Sequence, residues 1–357
     1  MKSRKFVSLF LSLFVVLTLV LSGCSSSSKS SPKDTLQGAV EKSADMKSYG
    51  MKGSLKIEDL NLPPEVMAEE GAAEALGLIQ SAEVSWTGAY RLDPMLLELN
   101  LMLSLSGDLA MSFQLPIIMN EEKMWLKVPN IPMLGLPEDL VGKFVEFDLK
   151  ELAEEQGTEW TGMPDVGQSV QFFNDISGVV FEHIDEETYL SAPKAEEAGI
   201  PAEANVKNVV QFHLTQEQVE PFIKTVIKDI APAVIELLSS NEEYRKLTEL
   251  TPEDLNAAKA ELESVTDEDL QAGIDEFNQM FKSLDILANF GINGDGYATY
   301  TDATIKAEIE DAGQTGNGTL KIVSELTDVN GDVKFEFDVP AAENVITLDE
   351  LAEYGFY

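Results

Sequence analysis

The chain has one cysteine, Cys24, and two histidines, His183 and His213, in 357 residues. A lone thiol closes no disulfide within the chain and builds no thiolate metal site, so an exported body of this composition is held by its core. Two histidines without a convergent ligand set assign no metal, and no cofactor is expected. HExxH, GxSxG and GxxxxGK[ST] are all missing, which removes the common zinc-protease, serine-hydrolase and P-loop readings. Cations are scarce: 25 Lys and Arg stand against 63 Asp and Glu, a formal charge of −38. Nucleic acid is therefore not a partner, because its binding runs on clustered Lys and Arg. The carboxylates are dispersed, which reads as a solvated surface. They are too numerous for two to be singled out as acid and base. No catalytic residue is assigned, and the expectation is a protein that is not an enzyme. No repeat of fixed period is present, so a solenoid is not expected.

A run long enough to span a bilayer is also lacking. Phe6 to Leu21 is 16 residues and includes Ser8, Ser12 and Thr18, short of the roughly 20 that a spanning helix needs. With Lys2, Arg4 and Lys5 before it and Leu21-Ser22-Gly23-Cys24 after it, the run has the layout of a secretory signal peptide. That ending is similar to the lipobox of bacterial lipoproteins. The resemblance implies cleavage between Gly23 and Cys24 and a diacylglycerol on the Cys24 thiol. The protein is then a lipoprotein anchored on the extracytoplasmic face of the cell membrane, since two or three acyl chains suffice for firm anchoring. Residues 1–23 are then signal peptide, 24–33 a Ser-rich tether, and 34–357 a single folded domain.

Asp34 is positioned to cap a helix over Thr35–Met46, and Tyr49–Ile57 reads as a first strand. Residues 63–80 read as a short helical insertion or a hairpin tip. The period then changes from 3.6 to 2. Val84, Trp86, Gly88, Tyr90 and Leu92 alternate with polar or small neighbours, as do Leu97, Leu99, Leu101, Leu103 and Leu105. After the Ser106-Gly107-Asp108 turn the pattern continues through Leu109, Met111, Phe113, Leu115, Ile117 and Met119. Such alternation predicts antiparallel strands with one dry and one wet face. Two shorter strands follow at 124–128 and 143–148. The middle, about 165–284, reads as helical around a lone strand at 206–214. Thr215 opens a capping box there, and a late start or a kink is expected at Pro221 or Pro232. Strands return at 284–292, 297–309, 319–326 and 333–339, with Asn-Gly turns between. Helix, meander, helices, meander predicts an α+β fold.

A lipobox, a Ser-rich tether, the opening segment Leu36–Tyr49 and a last strand ending in Val339-Pro340 together resemble the LolA/LppX-like lipoprotein superfamily. That resemblance implies a curved antiparallel sheet, a half-barrel, with helices packed on or in its concave apolar face, and a cavity for acyl chains. It carries over no catalytic residue.

Leu97, Leu99, Leu101, Leu103, Leu109, Met111, Phe113 and Leu115 form the candidate face for an apolar ligand such as an acyl chain or lipid. Adaptable Met side chains suit a ligand of variable shape. The competing expectation is an ordinary core sealed by the central helices. Ile131, Met133, Leu134 and Leu136, in a loop with three prolines, form a candidate lid or partner patch. Trp86 is expected in the core. Trp125, between Lys123 and Lys127, reads as lying on the wet face, with a contact role as the minor alternative. The alternative function is a structural or regulatory envelope lipoprotein that binds a protein partner through its surface.

Overall fold

The computed structural model describes residues 31–106, 110–131, 136–155, 162, 166–311 and 313–354. Gly23, Cys24, residues 25–30, Leu109, Met133, Leu134 and Trp160 lie outside the described residues.

The fold is α+β. Its strands are β1 (Ser48–Asn61), β2 (Ala82–Arg91), β3 (Leu96–Leu105), β4 (Met111–Met119), β5 (Lys123–Lys127) and β6 (Phe144–Asp148). They continue with β7 (Leu190–Ser191), β8 (Asn208–Thr215), β9 (Phe281–Ile292), β10 (Ala298–Asp311), β11 (Gln314–Thr327) and β12 (Val345–Thr347). The sheet is open, in the order β12-β6-β5-β4-β3-β2-β1-β11-β10-β9-β8-β7. It is mixed because β12 lies parallel to β6. The chain divides into a meander unit, within 46–57, 74–164 and 322–357, and a helical unit, within 58–73 and 165–321 together with the described residues up to 45.

In the helical unit the first helix is Pro32–Ser43. Its cap is Ser31, whose Oγ accepts the Asp34 N–H at 3.1 Å while the Asp34 carboxylate accepts the Ser31 N–H. Asp34 is thus the third helical residue of a capping box and not the cap itself. Pro32 starts the helix where no N–H is required, so the helix consumes the end of the expected tether. Thr215 and Gln218 form the predicted capping box of Gln216–Thr225. The expected irregularity is one π turn, Val226–Ile230, with Ala231–Ser240 continuing beyond it. The wider turn makes room for Pro232, which has no N–H and sits in the first turn of the continuing helix.

Helices 32–43, 216–225 and 267–280 pack on β8, β9 and β10. Phe212 of β8, Tyr189 and Phe222 meet there, with ring centroids 5.4 Å apart for Tyr189–Phe222 and 6.2 Å for Phe212–Phe222. Behind that core face the side chains are polar. Gln211 donates to Asn289 at 2.8 Å, and Asn289 donates to Asp302 at 3.0 Å.

Candidate functional site

The meander unit keeps the registers that alternation demands, and pairing places the leucine row in ranks. Tyr49, Tyr90, Leu97, Met119, Met124 and Phe147 form the first rank. Met51, Gly88, Leu99, Ile117, Leu126 and Val145 form the second. Gly53, Trp86, Leu101 and Leu115 form the third, and Leu55, Val84, Leu103 and Phe113 the fourth. Directly paired residues of an antiparallel ladder share a face, so these ranks are one apolar surface. Six of the seven described residues of the candidate ligand face lie in these ranks, and the seventh, Met111, follows in a fifth, paired with Leu105.

At its β6 edge this surface is sealed, with Val145 only 4% exposed beside Leu140 and Ile346, but over β1–β4 it is only partly covered. Leu97, Leu99, Leu101, Met111, Phe113 and Leu115 are half-buried, and Leu103 is 38% exposed. Trp86, expected in the core, is half-buried too. Its indole lies across Gly53, where a Cβ would overlap both the ring and the Val323 carbonyl oxygen. Tyr49 and Tyr90 stack tilted at 5.2 Å. Burial raises both phenol pKa values above the ordinary 10.0.

The opposite face of the same strands is closed around Leu96, Glu98 and Ile118, whereas Thr87, Ser112 and Gln114 farther along it are exposed. Leu96, Ile118, Trp125 and Phe144 form a buried cluster, covered by Phe335, Phe337 and Val345. Residues 333–339 are therefore irregular cover, not the expected strand. Their amides are engaged elsewhere: the Glu98 carboxylate accepts the N–H of Glu336 at 2.9 Å and of Phe337 at 2.6 Å. Glu98 reads as a wet-side residue yet is only 3% exposed. Two amide donors offset the burial of its charge. Trp125 is 3% exposed, contrary to its expected place on a wet face. Glu146 on β6 accepts its indole N–H at 2.8 Å and also pairs with Lys123. That partner satisfies the polar end of the ring and allows the rest to be buried.

Ile131 and Leu136, the described members of the candidate lid, are half-buried, and Leu140 beyond them is 1% exposed. Leu140 joins Val145 and Ile346 in a cluster with Leu348 and Leu351. His213 is half-exposed and lies 3.0 Å from Asp285, while His183 ends helix 166–183. Asp328 and Asn330 adopt the left-handed conformation of a tight turn. Asn330 accepts the Lys47 N–H, so the Asp328–Asp332 segment acts as a turn.

A separate cleft of about 420 Å³ in the helical unit is lined by Ile227, Pro232, Ile235, Leu262, Val265 and Leu270, with Lys228, Lys259, Glu236, Glu263 and Ser239 around them. Sequence reading missed it, because its walls come from helices 231–240, 252–263 and 267–280 and from the π turn that precedes the first of them. Among the described residues no group of three His, Cys, Asp or Glu is placed to hold a metal. Among them, too, no helix is long and apolar enough to cross a membrane. No protein-family profile, curated protein or solved structure matches the chain.

Proposed function

We propose that this chain is a lipid-anchored, extracytoplasmic binding protein that holds an acyl chain or similar apolar ligand against the open face of β1–β5 and performs no chemistry on it. The observation that carries this reading is the pairing of an apolar face only partly covered over β1–β4 with an opposite face closed around Leu96, Glu98 and Ile118. A sheet that only needed a core would leave its polar face wet and cover its leucines. Here the C-terminal segment covers Leu96, Ile118 and Trp125 and donates two amides to Glu98, and the leucine ranks over β1–β4 are left half-buried, with Leu103 exposed. Covering such ranks stabilises by about 25 cal/mol per Å², whether the cover is protein or hydrocarbon. Met51, Met111, Met119 and Met124 adapt to a chain of variable shape. The Cys24 lipobox supports the address, and the resemblance to the LolA/LppX-like superfamily supports the ligand class.

Titration with a fatty acid bearing a nitroxide quencher tests the site. Quenching should fall on Trp86, which lies on the open face, and spare Trp125. Trp86→Phe should remove most of the quenching. Quenching that leaves Trp86 untouched would sink the reading.

A further inference from the structure

We infer that the cleft of about 420 Å³ in the helical unit is a binding site for a short apolar peptide with free termini. Its volume falls within the roughly 300–1,000 Å³ of small-molecule pockets, and its make-up is theirs, mostly apolar walls with a few polar groups. Ile227 and Leu270 are buried, and Ile235, Leu262 and Val265 are half-buried. The π turn Val226–Ile230 supplies Ile227 and Lys228 to the wall. Such turns are rare in helices and occur frequently at functional sites.

The charges around the cleft select the ligand. Lys228 is paired with Asp267 at 2.5 Å. The side chains of Lys259, Glu236 and Glu263 have no partner among the described residues. Lys259 and Glu263 stand one turn apart on helix 252–263, in the less favourable order for pairing. Glu220–Lys224 and Glu242–Lys246, in the opposite order, close at 2.6 and 3.0 Å. One ammonium and two carboxylates are thus left open beside an apolar wall. A purely anionic amphiphile would meet Glu236 and Glu263, and a purely cationic one would meet Lys259. An apolar peptide satisfies both signs: its carboxylate takes Lys259, its ammonium takes Glu236 or Glu263, and its side chains cover the wall. The inference does not rest on the acyl-chain reading. Quenching of Trp86 tests that reading and a peptide titration tests this one, so each can fail alone.

The test is a binding titration of the full chain with leucyl-leucine, its N-acetyl derivative and its C-terminal amide. Leucyl-leucine should bind, and each blocked form should bind roughly tenfold more weakly, the scale of one lost charge-assisted contact. Lys259→Gln should weaken leucyl-leucine by the same factor and leave the amide where it was, because that ligand has already lost the contact. Glu236→Gln combined with Glu263→Gln should stand in the same relation to the N-acetyl form. All three side chains belong to exposed residues, so the variants should fold as the parent does. Three outcomes would each overturn the inference: no binding of leucyl-leucine, equal or tighter binding of a blocked form, or losses that add between Lys259→Gln and the amide.

Discussion

The carboxylate of Glu98 accepts the backbone N–H of Phe337 at 2.6 Å across 239 positions of chain. Together with the bond from Glu336, it fastens the segment that closes the far face of the sheet. Glu98→Ala removes the acceptor from two partly buried backbone N–H groups, so it should cost about 2 kcal/mol. Glu98→Gln, which retains an acceptor oxygen, should cost about half that. Denaturant unfolding checks the magnitudes. Hydrogen exchange should show amides 336 and 337 exchanging faster in Glu98→Ala than in the parent.

Equal polar substitutions on the two faces should separate. Ile118 is fully buried, and Ile118→Asn should cost upwards of about 3 kcal/mol through a buried unsatisfied amide and lost packing. Leu101→Asn, on the open face, should cost about 1 kcal/mol and leave the far-ultraviolet circular dichroism unchanged. Equal costs at the two positions would mean the leucine ranks are a sealed core.

Trp86 rests on Gly53 because no Cβ intervenes. Gly53→Val should displace the indole, lower stability by about 2 kcal/mol and red-shift the tryptophan emission. The same variant should lose acyl-chain quenching.

Tyr244 in the helical unit is buried, and its hydroxyl donates to Asp175 at 2.5 Å. Burial first, then the bond to Asp175, pushes its phenol up to about 12 from the ordinary 10.0. The folded state thus holds this proton more tightly than the unfolded state. The stabilisation is complete below pH 10, the unfolded value, and is lost as pH rises to about 12. Urea unfolding at stepped alkaline pH should show that decline, and Tyr244→Phe should flatten it.

Strand existence was legible because alternation over Val84–Tyr90, Leu97–Leu105 and Met111–Met119 leaves no helical period to compete with it. Asn293-Gly294 marked the β9–β10 hairpin for the same local reason. The closed face was not legible. Glu98 is buried by amides more than two hundred residues away, and Trp125 by a carboxylate on the next strand, so neither partner leaves a local signal. Alternation over Val333–Val339 predicts a strand, but Phe335 and Phe337 serve as cover and their amides are taken by side chains. Of the candidate site, the membership of the ligand face was readable from period alone. Its openness was not, since that depends on where the remaining chain packs.

The central claim is tested most directly by native mass spectrometry of the chain from Ser31 onward, before and after organic extraction, alongside Leu101→Glu. The account predicts a discrete extra mass matching a lipid, removed by extraction, restored by added fatty acid and missing from Leu101→Glu. A bare polypeptide mass that stays bare when acyl ligands are offered would contradict it.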